Sequence, residues 1–133
     1  MEGEKKKILI VDDDSFLLDM YALKFSQNNF EVYAAGGAAQ AIEKLKSGIV
    51  PDVLMMDIIM PEMNGFEMLD KINKENLSPN STKIFLSNKS QQEDIEEGEK
   101  LGASGYIVKA NSTPTEVIEQ VVKILEKKTT VSK

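Results

Sequence analysis

Apolar positions along the chain fall into two alternating patterns. Short runs at residues 8–11, 32–34, 53–56, 84–86 and 106–108 are continuous or nearly so. Between them lie longer stretches, about 14–27, 37–47, 64–76, 91–101 and 114–127, where apolar residues recur every three or four positions. The short runs read as strands and the long stretches as amphipathic helices. Strands alternating with helices in this way predict an α/β fold on a parallel sheet. The first, third and fourth runs lack polar alternation, as expected where helices cover both faces of the sheet.

Capping residues sharpen the boundaries. Thr113-Pro114-Thr115-Glu116 has the spacing of a capping box with proline at the first helical position. Asn64 and Glu67 repeat that box ahead of Phe66, Leu69 and Ile72, and Gly102 follows Leu101 as a helix stop. There is no internal repeat and no linker-like segment. The 133 residues are expected to form a single domain, 1–133, with a core at about 5–127 and frayed ends at 1–5 and 128–133. A chain this size buries roughly two thirds of its unfolded surface, enough for a core without staples.

Composition narrows the chemistry. Sixteen basic and 22 acidic side chains give a net charge of −6, which argues against direct nucleic-acid or anionic-membrane binding. The chain has no Cys and no His, so thiolate and imidazole catalysis and most transition-metal sites are excluded. Any metal must be held by oxygen. The apolar run after the charged N-terminus stops after four residues at Asp12. A secretory segment needs about 7–15 apolar residues and a membrane span about 20, so a cytoplasmic, soluble protein is expected.

Ligands of open parallel sheets bind beyond the carboxyl ends of the strands. The first run ends in Asp12, Asp13 and Asp14, the third in Asp57, the fourth in Ser87 and the fifth in Lys109, while Ala35-Gly36-Gly37 after the second offers no reactive group. Asp14 is expected to cap the first helix. A cap needs one Asp, and the repulsion within the remaining cluster points to a hard divalent cation, Mg²⁺ or Mn²⁺. Asp57 has two readings that stay open on its own: nucleophile toward phosphorus, or only a metal ligand or turn cap. Phosphoryl transfer needs positioning and charge neutralisation by a metal, a cation and a hydroxyl donor. Asp57, Ser87 and Lys109 together would meet those needs beside a bound cation.

The segments Ile8-Leu9-Ile10-Val11-Asp12-Asp13-Asp14, Met56-Asp57-Ile58-Ile59-Met60-Pro61-Glu62-Met63-Asn64-Gly65, Phe85-Leu86-Ser87 and Gly102-Ala103-Ser104-Gly105-Tyr106-Ile107-Val108-Lys109 resemble the receiver domain of bacterial response regulators (CheY-like). The resemblance covers about residues 5–127. It implies a flavodoxin-like, doubly wound sheet of order 2-1-3-4-5. It implies that Asp57 takes a phosphoryl group from a histidine kinase or phosphotransfer protein, with Mg²⁺ held by Asp12, Asp13, Asp57 and the Ile59 carbonyl. Ser87 would hydrogen-bond the phosphoryl group and Lys109 would pair with it. Tyr106 would move inward as Ser87 shifts, reshaping the face of the fourth helix, fifth strand and fifth helix for a downstream protein. The chain would transfer a phosphoryl group to itself and lose it again without turning over an external substrate. A homodimer through that face is compatible with the resemblance, and no residue pattern decides it.

Some positions depart from the family pattern. Ala110 stands where proline usually follows the lysine, so the Lys109–Ala110 bond is expected to be trans, since a cis bond there would cost about 2.5–4 kcal/mol. Asn88 replaces a small residue after Ser87, and is expected to narrow the pocket or donate to the phosphoryl oxygens. Ile59 and Lys89 border the path of an attacking water, and Ile59 is expected to slow hydrolysis. Glu93, Asp94, Glu96, Glu97 and Glu99 read as a solvated face of the fourth helix, or as an acidic docking surface. Phe16 is expected to pack in the core, with exposure for a kinase helix as the second reading. Rivals are a receiver that binds partners without phosphorylation and, more distantly, an aspartate phosphatase of the haloacid-dehalogenase type using Asp12 and Asp14. Against the latter, Phe16 stands where that family has Thr or Val. A flavodoxin is disfavoured because the acidic loop would repel phosphate.

Overall fold

The computed structural model describes residues 5–131, apart from the side chains of 128–131. The elements are β1 (Lys6–Val11), α1 (Ser15–Ser26), β2 (Phe30–Ala35), α2 (Ala38–Lys46), β3 (Val53–Met56), α3 (Gly65–Lys74), β4 (Thr82–Ser87), α4 (Gln92–Lys100), β5 (Gly105–Val108) and α5 (Pro114–Val131). The strands pair in parallel in the order β2-β1-β3-β4-β5, the flavodoxin-like order expected above.

Alternate strand residues point to opposite faces, which divides the core in two. Leu9, Val11, Leu54, Met56 and Phe85 pack with Ala38, Ala41 and Leu45 of α2 and with Met68, Leu69 and Ile72 of α3. Ile8, Ile10, Val53, Met55, Ile84 and Leu86 pack with Leu18, Tyr21 and Phe25 of α1 and with Val117, Ile118 and Val121 of α5. Both faces of the inner strands are therefore buried, which is why those strands read as unbroken apolar runs.

The expected caps form. Asp14 Oδ1 accepts the Leu17 N–H at 3.1 Å. Asn64 and Glu67 exchange hydrogen bonds of 2.8 and 2.9 Å at the start of α3, as Thr113 and Glu116 do at the start of α5. Gly102 has φ +96° just beyond α4, the left-handed conformation that favours glycine at a helix end. The Lys109–Ala110 bond is trans, since no described peptide is cis. Of the expected frayed ends, 1–4 and 132–133 lie outside the described residues, while the backbone over 128–131 is helical.

Candidate functional site

The sheet register builds the site. Val11 of β1 pairs with Met56 of β3, Met56 with Phe85 of β4, and Phe85 with Tyr106 of β5. Asp12 and Asp57 each follow one of these paired residues directly, and Ser87 and Lys109 follow two and three residues on. The ladder carries past the strand ends: the Asp57 N–H donates to the Val11 carbonyl at 2.9 Å, and the Asp12 N–H to the Ala35 carbonyl at 3.1 Å. Both aspartates therefore start from a fixed backbone.

The turn after Asp57 is pinned by the first residue of α3. The Gly65 N–H donates to the Ile58 carbonyl at 2.8 Å. A Cβ on Gly65 would lie 2.1 Å from the Asp57 carbonyl oxygen and 2.9 Å from Ile58 Cα. Only glycine allows so close an approach.

Asp12 and Asp57 are buried, with 3% and 8% of their surface exposed, and both face one cation. Lys109 Nζ lies 2.8 Å from an oxygen of each. Asp13 is exposed, and Asp12, Asp13 and Asp57 each offer a carboxylate oxygen within 4.8 Å of the others. Asp14 turns away as the α1 cap, and its N–H donates to Asp12 Oδ1 at 3.0 Å. Three carboxylates against one ammonium leave two negative charges unbalanced when all are ionised. A hard divalent cation would balance that charge, and the donors are all oxygens. Burial holds the Asp12 carboxyl above the usual carboxylate range, and the hydrogen bonds from Lys109 and the Asp14 N–H only partly oppose it. For Lys109 burial works against the charge, but its bonds to Asp12 and Asp57 outweigh it and raise its pKa.

Ser87 is fully buried at the end of β4, and its hydroxyl accepts the Lys89 N–H at 3.4 Å. The Tyr106 hydroxyl donates to the Lys89 carbonyl, and its ring lies 6.1 Å from that of Phe85. Burial, with the charges of Asp94 and Asp57 added, pushes the Tyr106 phenol up to about 12. Asn88 and Ala110 are exposed, and Ile59 is 62% exposed beside the aspartate turn. Glu93, Glu96, Glu97 and Glu99 form an exposed acidic face on α4, with Asp94 half-buried.

Phe16 corrects an expectation. It is 76% exposed rather than packed in the core. The buried stripe of α1 runs through Leu18, Tyr21 and Phe25, and two residues of helix turn Phe16 roughly 200° away from Leu18. Sequence reasoning also passed over the part Gly65 plays against Asp57, and the Lys89 carbonyl as the Tyr106 partner. The Gly65 signal was present, a glycine immediately after a helix cap; no side-chain pattern marks a backbone acceptor.

No helix among the described residues is long and apolar enough to cross a membrane. The family model described as the response regulator receiver domain matches residues 8–123. The chemotaxis protein CheY of Thermotoga maritima is 38% identical over 120 residues, covering 90% of this chain and 97% of that protein. The probable transcriptional regulatory protein TcrX of Mycobacterium tuberculosis and the response regulator SaeR of Staphylococcus aureus are each 30% identical, and the chain spans about half the length of either. Among solved structures, a CheY-like receiver domain protein from Methanospirillum hungatei superposes with a TM-score of 0.82 at 29% identity, over 92% of this chain and 95% of that one. The chemotaxis protein CheY4 of Vibrio cholerae gives 0.83 at 25% identity, over 90% and 98%.

Proposed function

The chain belongs to the response regulator receiver family of two-component systems, and from that premise we propose that it is a phosphoacceptor whose Asp57 takes a phosphoryl group from a histidine kinase or phosphotransfer protein. Receiver domains are signalling proteins rather than classical enzymes, and response regulators work between histidine kinases and downstream effectors. The observation that carries the reading is the Lys109 ammonium shared between Asp57 and Asp12, with Asp13 beside them.

An Asp57 carboxylate oxygen attacks phosphorus, forming the O–P bond as the P–N bond to the donor imidazole breaks and its electrons return to that ring. Asp12, Asp13, Asp57 and the Ile59 carbonyl would hold Mg²⁺, which when bound supplies charge neutralisation at the phosphoryl oxygens. The transferred group takes over part of the Lys109 ammonium from the carboxylates, and Ser87 donates its hydroxyl. With Ser87 so engaged, Tyr106 and the face formed by α4, β5 and α5 adjust for a downstream protein. Phe16, exposed at the start of α1, offers an apolar contact to the donor. To Ile59, exposed two residues beyond Asp57, we assign the exclusion of attacking water. Ile59→Asn is expected to shorten the phosphoryl lifetime several-fold, and an unchanged lifetime removes that assignment. We give Asn88 the narrowing of the pocket or an amide bond to the phosphoryl oxygens, and unchanged rates in Asn88→Ala would remove both.

Intact mass after incubation with acetyl phosphate and Mg²⁺ tests the proposal. One added phosphoryl group is expected, absent in Asp57→Asn and without metal. No adduct, with beryllofluoride also failing to bind, would leave a receiver fold that binds partners without phosphorylation.

A further inference from the structure

Three contacts meet on Lys89, in the loop between β4 and α4. Its N–H donates to Ser87 Oγ at 3.4 Å, its carbonyl accepts the Tyr106 hydroxyl, and its ammonium lies 3.5 Å from Asp94 Oδ1. The other Asp94 oxygen accepts the Gln91 N–H at 3.2 Å and so closes the capping box of α4. One side chain thus caps the start of the helix and holds the loop.

Beyond that capping box, the anchors of α4 among the described residues lie toward its carboxyl end, where Asn73 Nδ2 donates to the Leu101 carbonyl at 2.9 Å and Leu101 packs on the core. Gly98 is the buried residue of α4, and a Cβ there would lie 3.1 Å from the Phe85 ring. The helix meets the sheet through a missing side chain, and an interior glycine also weakens it. Its first turn is therefore sensitive to a single tether.

We propose that the Lys89–Asp94 ion pair is a latch joining the loop that bears Ser87 to the first turn of α4, with both residues acting as positioning residues for the acidic helix. Movement of the Ser87 loop pulls on Asp94 through the Lys89 ammonium, while the Lys89 carbonyl carries Tyr106 with it. The Lys89 and Asp94 side chains are 38% and 13% exposed, so added salt weakens the latch. The unmodified protein carries the latch in any case; its signalling role rests on the phosphoacceptor reading.

Asp94→Asn keeps an acceptor for the Gln91 N–H and removes the charge, and Lys89→Met keeps the backbone contacts and removes the ammonium. In the full unmodified chain, amide exchange at Ile95 and Glu96 is expected to quicken by about 1.5- to fivefold in either variant, as for a part-exposed pair. The double variant should exchange no faster than the singles. High salt should bring the wild type to the same rate. Unchanged exchange in Asp94→Asn, or additive effects in the double variant, would overturn the latch. A second series adds Mg²⁺ and beryllofluoride, where Asp94→Asn should at least halve the chemical-shift response of the 95–98 amides. A full response in that variant also overturns the proposal. If beryllofluoride leaves the wild type unchanged, the phosphoacceptor reading fails, and the exchange series still decides the latch.

Discussion

At the scale of single residues, Lys109 holds the site together before any cation arrives. Its ammonium is 2.8 Å from both Asp12 and Asp57, and removing it leaves two buried carboxylates facing each other. Breaking a buried pair in this way costs about 3–5 kcal/mol. Lys109→Met is expected to lose stability of that order in metal-free urea unfolding, and Mg²⁺ should recover part of it. Stability equal to the wild type would mean that the carboxylates are not paired as described. Tyr106 gives a pH signature. Its phenol is pushed up from 10.0 to about 12, so the folded state holds that proton more tightly than the unfolded chain. The contribution is complete below pH 10 and lost as pH rises toward about 12. Tyrosinate absorbance should therefore show a transition near pH 12 that Tyr106→Phe removes, and its persistence in that variant would reassign it.

At the scale of elements, the sequence spoke most clearly where one local rule governs a boundary. Asp14, Asn64 and Thr113 cap helices because a short acceptor placed before an apolar-periodic stretch has free N–H groups to satisfy. The strands extend a residue or more beyond several of the apolar runs, because pairing is set by neighbours rather than by hydrophobicity. Phe16 departs from the expected core position for a related reason: α1, SFLLDMYALKFS, is apolar nearly all round, so its composition does not say which side is buried. The fit of α3 against the aspartate turn was not legible either, since it depends on a backbone approach across the loop. Gly65→Ala would place a methyl group 2.1 Å from the Asp57 carbonyl oxygen. Such overpacking costs about 1–3 kcal/mol, and the displaced turn should also weaken Mg²⁺ binding. Calorimetric titration and urea unfolding of that variant would read both effects. Wild-type values in both would show that the turn tolerates displacement.

Across the whole molecule, a parallel sheet sends the carboxyl ends of its strands to one rim, so residues far apart in sequence meet there. That rule made Asp12, Asp57 and Lys109 readable as a group before their distances were known, because each directly follows an apolar run. Which carboxylates Lys109 pairs with, and how Lys89 links Ser87 to Tyr106 and Asp94, depend on three-dimensional placement that no run or spacing encodes. The rim also places three aspartates within reach of one another, and Asp57 is the proposed acceptor among them. The most direct measurement is to locate the phosphoryl group by mass spectrometry of acid-protease fragments after reaction with acetyl phosphate and Mg²⁺. The adduct should lie on the fragment containing Asp57. An adduct on the fragment containing Asp12 and Asp13, or steady release of phosphate with no adduct on Asp57, would contradict it.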